Sequence, residues 1–124
     1  MAMPVTKAPG MFMYRSGIAA ADSTPPTDQK QGLNTADYKR LNVHVIAGAT
    51  AAPVLAVYVW SDAAGAFVKK LPVLGIAAQA VGVDWSTTID CDGEILWLQV
   101  TGSGIDVSNT VSLEVSAYGL DSTL

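Results

Sequence analysis

The stretch that decides the fold runs Trp85-Ser-Thr-Thr-Ile-Asp-Cys-Asp-Gly-Glu-Ile-Leu-Trp-Leu-Gln-Val-Thr101. Its first part alternates Trp85, Thr87, Ile89 and Cys91 against Ser86, Thr88 and Asp90, the period of two that sends successive side chains to opposite faces of a strand. Asp92-Gly93 follows, the strongest hairpin dipeptide in the chain, because both residues tolerate the backbone conformation a tight turn requires. Ile95 to Thr101 then places Leu96, Leu98 and Val100 on one face and Ile95, Trp97 and Gln99 on the other. The expectation is two strands joined by a hairpin turn.

The same signal recurs outward from this stretch. In Tyr38 to Ala47, Leu41, Val43 and Val45 alternate with Arg40, Asn42 and His44, so one face is buried and one is polar. Val54 to Trp60 is apolar throughout, as befits a central strand with both faces covered. Ser61 to Gly65 reads as a turn and Phe67 to Leu71 as the returning strand. Leu71 to Ala80 is either a further strand or a loop, broken by Pro72 and Gly75. Beyond the Gly102 to Asn109 loop, Thr110 to Gly119 turns Val111, Leu113, Val115 and Ala117 inward against Ser112, Glu114, Ser116 and Tyr118. About seven or eight short strands with Gly- and Pro-rich turns, and no convincing helix, predict an all-β protein built as a single antiparallel β-sandwich. Jelly-roll and immunoglobulin-like versions both suit this spacing, and the second lacks its cysteine pair. The expected fold is jelly-roll-like.

Residues 1–36 read differently. Ala21 to Gly32 contains no apolar residue beyond alanine and proline and is a loop, whereas Met11 to Ser16 reads as a strand apolar on both faces. The expected division is an N-terminal arm over 1–36, with one short strand and a Pro-rich loop, and a sandwich over 37–124. The loop has too little to bury to offset its ordering entropy of about 1–2 kcal/mol per residue, so the arm is expected to stand outside the sandwich as an attachment element. Removal of residues 1–32 is then expected to leave the sandwich folded.

Composition bounds the function. With 124 residues the chain has room for one domain. A single cysteine, Cys91, excludes an internal disulfide and any multi-cysteine metal site. Net charge of -4 and a pI near 4.6 argue against a nucleic-acid partner, which needs clustered Lys and Arg. No apolar stretch approaches the ~20 residues of a spanning helix, which argues against a membrane partner, and the first ten residues lack the apolar run of a secretory signal. Charged residues make up only 15% of the chain, against roughly 25% in ordinary soluble domains, so much of the surface must be uncharged.

Candidate chemistry is sparse. His44, the lone histidine, falls on the polar face of its strand and suits a surface or interface role. Cys91 lies between Asp90 and Asp92, whose carboxylates would raise its thiol pKa and blunt it as a nucleophile. Asp90 to Glu94 echoes the start of a calcium loop, but Thr101 stands where the closing glutamate belongs, and a tight turn with solvated acids explains the same residues. One His, one Cys and scattered Asp assemble no nucleophile, base and orienter, so neither enzyme activity, nor a metal, nor any cofactor is expected. Tyr58, Trp60 and Trp97 are surplus to a simple core, since each sits on the second face of a strand whose first face already has a full apolar row. They predict an exposed aromatic patch for binding, unless loops cover it internally. Together with Met11, Phe12 and Tyr14 of the arm, they form the expected interface set.

Three stretches carry a family resemblance: Tyr38-Lys-Arg-Leu-Asn-Val-His-Val45, Val57-Tyr-Val-Trp-Ser-Asp-Ala-Ala-Gly-Ala-Phe-Val68 and Thr110-Val-Ser-Leu-Glu-Val-Ser-Ala-Tyr-Gly119, preceded by the Pro/Gly-rich arm. Over residues 37–119 the chain resembles the small β-sandwich structural proteins of tailed bacteriophages, with capsid decoration (cement) proteins the nearest type. The resemblance implies a non-enzymatic virion component, assembled in the host cytoplasm, that forms oligomers and binds the major capsid protein or another virion protein. Apolar side chains on both faces of Val54 to Trp60 independently suggest a homo-oligomer, with a trimer the expected form. The alternative reading is a carbohydrate-binding module of a tail or receptor-binding assembly that uses the aromatic set as stacking platforms.

Overall fold

The computed structural model describes residues 5–7, 12–36, 38–70, 75–76 and 80–121. Among the described residues ten strands form two sheets: β1 (Val5–Lys7), β2 (Phe12–Ile18), β3 (Leu33–Asn34), β4 (Arg40–Ala47), β5 (Ala52–Ser61), β6 (Ala66–Lys69), β7 (Gly75–Ile76), β8 (Trp85–Asp90), β9 (Ile95–Ser103) and β10 (Val111–Asp121). In the first sheet β10 lies between β4 and the collinear pair β1 and β2, and β8 closes the far edge. The second sheet runs β3-β9-β5-β6, with β7 beside β5 at Leu55 and Ala56. Every pairing between strands is antiparallel.

From β2 to β5 and from β7 to β10 the chain changes sheet at every connection, and it stays within one sheet only from β1 to β2 and from β5 through β7. This back-and-forth wrapping, with a four-strand path in each sheet, is the jelly-roll arrangement of an all-β sandwich. Alternation supplies the core: Leu41, Val43 and Val45 of β4 stand beside Ala117, Val115 and Leu113 of β10. Leu55 and Val57 of β5 stand beside Val100 and Leu98 of β9. All ten are buried, and the two rows form one hydrophobic cluster.

Two expectations change here. Asp92-Gly93 joins β8 to β9 not as a hairpin but as a crossing between sheets, since β8 pairs with β4 while β9 pairs with β5 and β3. Gly93 does take the positive φ of the turn, at 73°. The dipeptide specifies a local reversal, and the inward rows of Trp85 to Ile89 and Leu96 to Val100 then line the common core from opposite sheets.

The second correction concerns the arm. Residues 12–36 are built into the sandwich: β2 pairs with β10 from Ile18 to Phe12, with register shifts at Val111/Leu113 and Leu113/Glu114, and β3 pairs with β9. Ile18 is buried in the core, and Tyr14 and Leu33 pack against it. The physical reason is that β10 has a free edge whose N–H and C=O groups need partners, and β2 supplies them. The expected strand over Met11 to Ser16 thus exists, shifted to Phe12–Ile18. Met11 lies outside the described residues, as does most of Leu71 to Ala80.

Candidate functional site

One side of the sandwich is closed without a full strand. β3 covers β9 only at Leu96 and Ile95, which leaves the backbone of Leu98 and Val100 on an open edge. Two side chains take that edge. Arg15, from β2 in the opposite sheet, donates from Nη1 to the Leu98 carbonyl at 3.1 Å. Asp22, in the β2–β3 connection, donates its backbone N–H to Val100 O at 2.8 Å and accepts from Val100 N at 2.7 Å through Oδ2. Arg15 and Asp22 also form a bidentate pair at 2.7 and 2.9 Å. The hydrogen bonding it donates to Asp22 holds the Arg15 guanidinium above its ordinary pKa, with burial opposing. Charged, geometrically matched groups of this kind make the stronger hydrogen bonds of a protein.

This clamp determines what becomes of the aromatic set. The Arg15 guanidinium lies 5.6 Å from the Trp97 ring centre, a cation–π distance. Tyr58 meets Trp97 edge-on at 5.6 Å, and Trp60 meets Phe67 edge-on at 5.1 Å. Trp97 is only 5% exposed. The expected open patch is therefore corrected: the chain's own Arg15 and β2–β3 connection cover Trp97, leaving Tyr58 and Trp60 half-buried. Farther along that connection, Gly32 lies so close to Ile95 and Phe67 that an added Cβ would come within 2.6 and 2.8 Å of their side chains. Trp60 is anchored separately by donating from Nε1 to Asp62 at 3.0 Å.

Between the clamp and the connection opens a cleft of about 650 Å³, lined by Tyr14, Arg15, Asp22, Thr24, Gln31 and Trp97 among others. Tyr14 donates its hydroxyl to Gln31 O at 3.0 Å, and burial pushes its phenol up to about 12. The structure thus brings Tyr14, Trp97 and Tyr58 into one neighbourhood and sets Trp60 apart with Phe67. For Phe12 only the backbone is described, opposite Val115. Arg15 and Asp22, which organise the cleft, were not among the expected site residues. Their one signal was an arginine interrupting an otherwise apolar strand, with a carboxylate seven residues on.

The other candidates fall elsewhere. His44 is exposed on the outer face of the first sheet, between Ser86 and Glu114, beside a hollow of about 340 Å³ that Asp84 and Trp85 also line. Cys91 is buried, and burial is the first cause of its raised thiol pKa, the Glu94 carboxylate the least. Asp90 and Asp92 are exposed and lie 3.8 and 3.6 Å from Arg40 and Lys39. Among the described residues no three His, Cys, Asp or Glu side chains are grouped to hold a metal ion. Comparison with known proteins found no matching family model, curated protein or solved structure.

Proposed function

We propose that the protein is a non-enzymatic virion component, a decoration protein that binds and stabilises a bacteriophage capsid as a homo-oligomer. The observation that carries this reading is the use made of the ion pairs whose partners are both less than a third exposed. Arg15–Asp22 seals the β9 edge, and Lys70–Glu94 ties the end of β6 to the β8–β9 crossing. Partly buried ionic groups placed as fasteners suit a scaffold that must stay rigid while presenting a charge-poor exterior. Contact between copies of the chain in this reading falls to the half-buried Tyr58 and Trp60. Mass spectrometry of particles purified from cells that express the chain tests it. Peptides of this protein should co-purify with intact capsids, and their absence despite expression would exclude the reading.

The cleft favours a second reading, a carbohydrate-binding module. It offers hydroxyl and amide groups from Thr24, Thr27 and Gln31 beside an aromatic wall. Trp97 is too covered to act as a stacking platform, so sugar binding would rest on hydrogen bonds in the cleft. A glycan array with wild type and Gln31→Ala separates the two readings.

A further inference from the structure

The two ends of the sandwich differ in charge. Lys39, Arg40, Lys70, Asp90, Asp92 and Glu94 gather at the end where β4 begins and β8 stops. The opposite end is built from Gly48–Ala51, Ala80–Asp84 and Gly104–Thr110. These loops contain no cation and only two carboxylates, Asp84 and Asp106. Both carboxylates are turned to internal work. Asp84 accepts from Ala47 N at 2.9 Å, and Asp106 accepts from Ser108 N at 2.9 Å and Asn109 Nδ2 at 3.1 Å.

The loops at this end are locked to one another. Gly48 N bonds Thr110 O at 2.8 Å, Gly82 N bonds Ala51 O at 2.9 Å, and Thr50 Oγ1 bonds Gly104 O at 2.9 Å. Glycine allows this approach: an added Cβ would fall 2.6 Å from Asn109 Cα at Gly48 and 2.5 Å from Ala49 O at Gly82, and would strike Thr50 O at Gly104. On the resulting plate stand three valines that the fold does not bury, Val81 at 59%, Val83 at 47% and Val107 at 83% exposure. Val107 tops the Asp106–Asn109 turn, whose ends exchange backbone hydrogen bonds at 3.2 and 3.0 Å. Rigid display of apolar side chains lowers the entropy lost on binding, and depletion of charge marks the centre of an interface.

We infer that this loop end is the docking surface for the shell, its occupant an apolar-pocketed, non-acidic surface repeated over the protein lattice. The inference rests on the decoration reading and names the face it uses. A second copy of this chain is the poorer occupant on area: three valines offer a few hundred Å², against the ~800 Å² per partner of a stable pair. So small a contact holds only when several copies engage a repeating lattice together. These loops carry two exposed carboxylates and no Lys or Arg, which disfavours an acidic partner surface.

The test is co-sedimentation with capsids assembled without this chain, for wild type, Val107→Ser, Val107→Asp and a charge control on the outer face of the first sheet, Thr88→Asp. Far-UV circular dichroism and thermal melting establish that all four fold alike. The expected result is roughly tenfold weaker binding for Val107→Ser, loss of binding for Val107→Asp, and wild-type binding for Thr88→Asp. Wild-type binding by all four would overturn the docking surface while leaving the decoration reading intact. Failure of wild type to bind would overturn both. Self-association in solution that Val107→Asp abolishes would make a second copy the occupant and overturn the inference.

Discussion

At the scale of single residues, Asp22 carries more structure than its place in a proline-rich connection suggests. It holds Arg15 at two points and supplies the hydrogen bonds that a neighbouring strand would otherwise give Val100. Asp22→Asn keeps the shape and removes the charge opposite a partly buried guanidinium, so unfolding in urea should show a loss of about 1–3 kcal/mol. A loss below ~0.5 kcal/mol would mean the β9 edge is sealed by other contacts. Tyr14 gives a pH signature at the same place. Its phenol is raised by burial from about 10 to about 12, so the folded state keeps a proton that the unfolded state releases between those values. Stability should therefore fall as pH rises from about 10 towards 12 and this contribution should then level off. Tyr14→Phe should flatten that part of the profile relative to wild type. Neither role was legible beforehand, because alternation reports which way a side chain points and not which distant residue it meets.

Among the elements, the strands with one polar face were the most legible. Leu41, Val43 and Val45 in β4 and the inward row of β10 could be read directly, since a single buried face imposes strict alternation. The partnership of the strands could not, and Asp92-Gly93 shows why: a turn signal fixes a reversal of a few residues, while the choice between pairing and crossing depends on burial across the whole sandwich. The loops obey a local rule that can be tested. Gly82 has φ of 70° and backbone 2.5 Å from where a Cβ would stand, whereas Gly65 has φ of 62° and open space around it. Gly82→Ala should cost clearly more than Gly65→Ala, for which the left-handed backbone alone predicts about 1–2 kcal/mol. Equal costs in thermal or urea unfolding would show that the Gly82 loop gives way and is not locked to Ala49.

For the molecule as a whole, the placement of residues 12–36 matters most. The segment reads as an arm because Ala21 to Gly32 contains no apolar residue beyond alanine and proline, yet ordering is offset by backbone pairing with β10, burial of Ile18 and the Arg15–Asp22 clamp. Deletion of residues 1–32 should therefore abolish cooperative unfolding of the remainder, and a deleted chain that still melts cooperatively near the wild-type temperature would return the segment to the status of an arm. The central claim, a rigid jelly roll that stabilises a capsid from outside, meets its most direct test in electron cryomicroscopy of native particles. The account predicts sandwich-shaped density on the outer shell, oriented with Val81, Val83 and Val107 towards the capsid and the charged end towards solvent. Particles that contain no such density, or hold the sandwich inside the shell, would contradict it.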